Sequence, residues 1–167
     1  MTREETIDFL VEKARSQKYR GRLEDADVAV PGGNPGCGDV VTMFLKVDRA
    51  NDRVAALRFE GEGCTISQAA ASVLVGMVQH STLSEIEGMD YNDMVDALGR
   101  DVVQSRPRCA TLALSTLKTA VRQYRGARLR EEATAGEQLR SQLDGVPGAR
   151  SEEGGKRIAE GCGTHVE

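Results

Sequence analysis

The sequence has no tryptophan, and aromatic residues make up only 4% of its 167 residues. A core must therefore be assembled from Val, Leu, Ile, Ala and Met, and stacking on nucleobases is poorly supplied. There is no excess of positive charge. The formal net charge is -4, which argues against a generic electrostatic grip on nucleic acid. No stretch approaches the roughly 18 consecutive apolar residues of a membrane-spanning helix. Met1 leads directly into Thr2-Arg3-Glu4-Glu5, with no apolar core of a secretory leader, so a cytoplasmic location with reduced cysteines is expected. The 40% of hydrophobic residues suffices for the core of one ordinary domain.

What the chain does have is three cysteines in unusual settings: Cys37 in Pro35-Gly36-Cys37-Gly38-Asp39, Cys64 in Glu60-Gly61-Glu62-Gly63-Cys64, and Cys109 in Arg106-Pro107-Arg108-Cys109. Two lie in glycine-rich turns and the third lies where a proline precedes a helical pattern. Reduced cysteines in sequence-distant turns point to metal ligation or redox chemistry. With Asp39 two residues beyond Cys37, three thiolates and a carboxylate match a tetrahedral site for zinc or iron. Asp39 has the alternative of simply capping its turn.

Apolar spacing predicts a helix over residues 2–15, with Ile7, Leu10, Val11 and Ala14 on one stripe and Thr2 and Glu5 forming a capping box. Leu23 to Val30 reads as an edge strand, and Pro31 to Gly36 as a loop. Val40 to Val47 and Arg53 to Phe59 read as an antiparallel hairpin joined by Arg49-Ala50-Asn51-Asp52. The hairpin would bring Cys37, Asp39 and Cys64 to one end. Thr65 to Gln79 is a helix with Ile66, Ala69, Ala70, Val73, Leu74, Met77 and Val78 on its face. Cys64 then sits at the helix N-terminus, where the dipole favours a thiolate.

Two short helical pieces fit Ser81 to Gly99. Cys109 opens a further helix that buries Leu112, Ala113, Leu117, Ala120, Val121 and Tyr124. Lys118, Arg122, Arg125 and Arg128 form its basic stripe, either a solvated face or a partner-docking surface. The expected organisation is a domain over residues 1–128, then a helical extension and flexible tail over 129–167 that carries Cys162 and His165.

These motifs resemble the iron–sulfur cluster scaffold family that includes the N-terminal domain of NifU, IscU and the SufU proteins. The matching segments are Asn34-Pro-Gly-Cys-Gly-Asp39, Phe59-Glu-Gly-Glu-Gly-Cys-Thr-Ile-Ser67 followed by Ala69-Ala-Ala-Ser72, and Arg106-Pro-Arg-Cys-Ala-Thr-Leu112. The resemblance implies an α+β fold, a small antiparallel sheet of about three strands packed on one face by helices. It makes Cys37, Asp39, Cys64 and Cys109 the ligands of the metal or cluster. Cys162 is a possible extra ligand or an incidental tail residue. IscU-type members carry a histidine before the third cysteine and a Leu-Pro-Pro-Val-Lys segment for a dedicated chaperone; here stand Arg108 and Val103-Gln-Ser-Arg-Pro107. Both departures lean towards SufU, yet the insertion usual in SufU between the second and third cysteines is missing.

Two mechanisms follow from the resemblance. A scaffold would take sulfur from a cysteine desulfurase, hold a transient [2Fe–2S] cluster and pass it to apo iron–sulfur proteins. A zinc-dependent sulfurtransferase would keep Zn2+ on the same four groups and free one thiolate when Asp39 is displaced. Cys37 is the persulfide acceptor in the second reading and Cys109 in the first, with Arg106 and Arg108 as electrostatic support. A purely structural zinc site is the remaining alternative. No nucleic-acid or membrane partner is expected, and the chain should be a monomer or weak homo-oligomer.

Overall fold

The computed structural model describes residues 1–144. Helix α1 (Arg3–Arg15) is followed by strands β1 (Val28–Asn34), β2 (Asp39–Asp48) and β3 (Arg53–Glu62). The remaining elements are helical: α2 (Thr65–Met77), α3 (Leu83–Gly88), α4 (Tyr91–Ala97), α5 (Arg100–Val103) and α6 (Pro107–Asp144). The three strands form one antiparallel sheet in the order β1-β2-β3. The chain divides into two compact units, Met1–Arg130 and Glu131–Glu167. The sheet and all three of the motif cysteines belong to the first.

Alternation along β2 decides which face is covered. Val41, Met43, Leu45 and Val47 are buried, while Val40, Thr42, Phe44 and Lys46 lie between them on the more open face. This period of two is the signature of a sheet packed on one side. On β3 the buried residues are Val54, Leu57 and Phe59, a spacing of three and then two. The register shift at Lys46/Val47 accounts for the extra residue and keeps all three facing the core. Leu74, Leu83, Ile86, Met94, Leu98, Leu114 and Leu117 are fully buried with them. Ala69, Ala70 and Ala71 are also completely covered, so α2 can approach its neighbours closely over this small-residue segment.

Local chemistry starts α1 where the sequence predicts, and the same device starts α3. Thr2 and Glu5 form the capping box of α1, and Thr82 and Glu85 repeat it for α3. The buried face of α1, however, carries Thr6 and Leu10, and Ile7 is 42% exposed. Thr6 turns inward because its methyl packs beside Gly99, where an added Cβ would come within 2.3 Å of it. On α2, Met77 is likewise exposed and Val75 takes the buried place.

The structure departs from the expected pattern in three places. The first strand begins later than Leu23 and runs on through Pro31-Gly32-Gly33-Asn34, the segment expected to be a loop. An edge strand pairs on one side only, so Pro31 opposite Thr42 is tolerated. The short helix α5 is unanticipated, since a four-residue helix carries too little periodicity to read. Finally, the basic residues of α6 do not form one solvated stripe. Lys118 is 8% exposed, donates to the Met89 carbonyl and lies over the Tyr91 ring. Arg125 pairs with Asp52 and Glu87. Among the described residues, no helix is long and apolar enough to cross a membrane.

Gly32 is where α6 meets β1. A Cβ there would fall 1.8 Å from Thr116 Oγ1, and Thr116 is buried with its hydroxyl donating to the Leu112 carbonyl. Gly32→Ala is expected to destabilise the domain by about 2 kcal/mol in urea unfolding, with part of the loss regained on adding Thr116→Ala.

Candidate metal centre

Four chain segments deliver side chains to one edge of the sheet. The first is the turn between β1 and β2. The carbonyl of Asn34 accepts from the N–H groups of both Cys37 (3.2 Å) and Gly38 (2.9 Å), and the Asn34 side-chain oxygen accepts from Gly36 N–H (3.2 Å). Gly38 has φ of +71°, a conformation glycine adopts without strain. The turn therefore presents Cys37 to solvent and starts β2 immediately after it. The second is β2 itself, whose first residue, Asp39, is directed inward and is 3% exposed.

The third segment is the entry to α2. Cys64 is its N-cap residue, with extended backbone and no side-chain capping bond. Its backbone N–H donates instead to Asp39 Oδ1 at 2.9 Å, and its thiol lies 3.3 Å from Asp39 Oδ2. Ser67 closes this turn by donating to the Cys64 carbonyl. Gly63 is required for the approach: a Cβ there would sit 2.8 Å from Asp39 Oδ1 and 2.5 Å from Ser67 Oγ. The fourth is the start of α6, where Pro107 occupies the first helical position. Cys109, two residues on, is 2% exposed.

The sulfurs of Cys37 and Cys109 are 3.1 Å apart, and the Asn34 side-chain amide donates to Cys37 Sγ at 2.8 Å and faces Cys109 Sγ at 3.7 Å. Donor atoms of Cys37, Asp39 and Cys109 all lie within 4.8 Å of one another. Two ligands of a tetrahedral zinc with bonds near 2.3 Å are about 3.8 Å apart, so one ion could touch all three. Cys64 adjoins the group through its contact with Asp39. The donor set, soft thiolates with one carboxylate, suits zinc or iron.

Burial runs from exposed Cys37 through half-buried Cys64 to buried Cys109. Arg106 and Arg108 are exposed and line an open cleft of about 420 Å³ together with Asn34, Cys37 and Cys109. Cys162 and His165 lie outside the described residues.

The electrostatics of this edge are unbalanced. Burial, contact with Cys37 and Asp39, and the proximity of Cys64 push the Cys109 thiol far above its ordinary pKa. Asp39 goes the other way. Burial works to raise its pKa, but the Cys64 N–H, with contacts from Cys109, Cys64 and Ser67, outweighs burial and holds it below the usual value. Asn34 and Gly63 were not singled out from the sequence. The signal for both was their place in the turns beside the cysteines, which spacing alone does not convert into a contact.

Comparison with known proteins matches residues 8–131 to the family model described as the NifU-like N terminal domain. The chain is 35% identical over 131 residues to the iron–sulfur cluster assembly scaffold protein IscU of Thermotoga maritima, covering 69% of this chain and 91% of that protein. It is 29% identical over 134 residues to the zinc-dependent sulfurtransferase SufU of Bacillus subtilis, covering 70% and 89% respectively. Among solved structures, a protein assigned as an iron–sulfur cluster assembly scaffold for the SUF system of Fervidobacterium islandicum aligns with a TM-score of 0.58 at 26% identity, over 68% of this chain and 94% of that one. A NifU-like N-terminal protein from Brucella abortus shares the fold with a TM-score of 0.60 at 20% identity, over 72% and 98%.

Two outcomes are expected from this geometry. Gly63→Ala should displace the Asp39 carboxylate and weaken zinc binding by about tenfold in chelator competition while leaving the circular dichroism spectrum unchanged. A carboxylate with a depressed folded-state pKa contributes stability above the ordinary carboxylate range and loses it as pH falls through the depressed value. Urea unfolding of the metal-free protein from about pH 7 to about pH 3 should therefore show a steeper acid decline for the wild type than for Asp39→Asn.

Proposed function

The chain belongs to the NifU-like N-terminal domain family of iron–sulfur cluster assembly scaffolds, and we propose that it accepts sulfur from a cysteine desulfurase and builds a transferable [2Fe–2S] cluster on Cys37, Asp39, Cys64 and Cys109. The observation that carries this reading is the grouping of Cys37, Asp39 and Cys109 within 4.8 Å, with Cys64 against Asp39 and Cys37 the exposed one of these four residues.

Cys37, on its turn, is the group that reaches an incoming persulfide. Its thiolate attacks the terminal sulfur; the new S–S bond forms as the desulfurase cysteine leaves as a thiolate. Arg106 and Arg108 beside the cleft stabilise the anionic sulfurs that result. The burial of Cys109 favours Cys37 as first acceptor, and Cys109, 3.1 Å away, is placed to hold what Cys37 receives. Reduction of the delivered sulfur to sulfide takes two electrons from an external donor, and ferrous iron enters as the second substrate. Asp39 is the hardest and most exchangeable of the four donors, which suits a cluster that must leave for an apo-protein.

A second reading, a zinc-dependent sulfurtransferase, is favoured by one contact. Cys37, Asp39, Cys64 and Cys109 would hold the zinc, which would keep the thiols ionised. Asp39 holds the Cys64 N–H without needing the metal, and an uncoordinated Cys37 thiolate would take the persulfide sulfur as the desulfurase cysteine leaves. Arg108, immediately before Cys109, is consistent with this subtype.

Anaerobic incubation with a cysteine desulfurase, cysteine, a thiol reductant and ferrous iron, followed by desalting, separates the two. Iron and acid-labile sulfide in equal amounts with zinc displaced would establish the scaffold. Retained zinc, no sulfide and faster desulfurase turnover would establish the sulfurtransferase. Unchanged zinc with no effect on the desulfurase would leave a structural site only. In either active case Cys37→Ser should lose the persulfide mass increment, whereas Cys64→Ser should retain the increment on Cys37 and bind metal at least tenfold more weakly, about the scale of a lost ligand-shell contact.

A further inference from the structure

Asn34 is 7% exposed, and every polar group it carries beyond the strand pairing is turned towards the thiol edge. Its orientation is fixed by chemistry. The Gly36 N–H can only donate, so the side-chain oxygen must face it, and the NH2 group must face the sulfurs. That NH2 reaches Cys37 Sγ at 2.8 Å and Cys109 Sγ at 3.7 Å. Asp39 contacts both Cys64 and Cys109, while the Cys37 and Cys109 sulfurs, 3.1 Å apart, are the two that the amide faces.

The geometry points to Asn34 as a positioning residue: its side-chain amide holds Cys37 and Cys109 as one pair and stabilises negative charge on their sulfurs, whether borne by a thiolate, a persulfide or a metal-bound ligand. The inference rests on the metal-centre reading given above. An N–H donor favours an anionic sulfur over a neutral thiol because the donor dipole points its positive end at the charge. The same atom restricts Cys37, the most exposed of the three cysteines, to the side of its turn that faces Cys109. Outer-shell donors of this kind orient metal ligands and tune the metal they hold. Hydrogen bonds to cluster sulfurs likewise contribute to reduction potential.

The test uses the full chain titrated anaerobically with cobalt(II), read by thiolate-to-cobalt charge-transfer absorption. In Asn34→Ser the hydroxyl can still accept from Gly36 N–H but is too short to reach either sulfur. The variant should bind cobalt about tenfold more weakly, with a displaced charge-transfer band and a metal-free melting temperature close to wild type. A lowered melting temperature with unchanged affinity and band would show a merely structural role and overturn the proposal. If the variant does not fold, the wild type loaded with NMR-active cadmium decides: scalar coupling from an Asn34 side-chain amide proton to cadmium supports the proposal, and bound cadmium without coupling overturns it. Absence of any thiolate-to-cobalt band in the wild type would overturn this inference and the metal centre together. Normal cobalt effects with no sulfur taken from the desulfurase would leave the Asn34 role standing and remove only the assembly reading.

Discussion

The hydrogen bond from the Cys64 N–H to the Asp39 carboxylate ties the first residue of β2 to the N-cap of α2. An N-cap cysteine has no oxygen with which to cap its own helix, and Cys64 makes no side-chain capping bond. Asp39, arriving from the neighbouring strand, supplies an anion beside that positive helix end. The contact spans the hairpin and requires the bare Gly63 backbone beside it. Once it forms, the sheet edge, the start of α2 and two of the four donor residues are placed together.

Around that bond the structure gathers thiol and carboxylate donors at close range. Cys109 is buried at the head of a helix, Asp39 is buried and ionised, and the Cys37 and Cys109 sulfurs are in contact. Burial penalises the Cys109 thiolate, and the neighbouring Asp39 carboxylate penalises it further. The surrounding fold holds this arrangement through ordinary means: a fully covered apolar core, small residues along α2, and α6 pressed on Gly32. The fold thus holds a preorganised group of donor side chains at the sheet edge.

How much of this was legible varies by element. The capping box at Thr2, the β2–β3 hairpin and the helix after Cys64 each rest on local rules, and each forms where those rules put it. The first strand did not follow local rules, because Pro31 and the glycines beside it gain their tolerance from an edge position and from the pressure of Thr116. Lys118 and Arg125 read as a surface stripe because helical spacing reports direction and says nothing of what packs there. Met89, Tyr91, Asp52 and Glu87 are what pack there.

The motifs alone carry the resemblance to the NifU, IscU and SufU proteins, the α+β class that it implies, and the four donor positions. Cysteine and aspartate carry their chemistry in the side chain, and turn residues carry their conformation in the backbone, so both are readable one position at a time. Only the tertiary structure decided that Asp39 takes the Cys64 N–H, that Asn34 faces the Cys37 and Cys109 sulfurs, and that Cys37 alone of the three is exposed. Those are relations between segments far apart in the chain. They depend on strand register and helix packing, which no local pattern encodes.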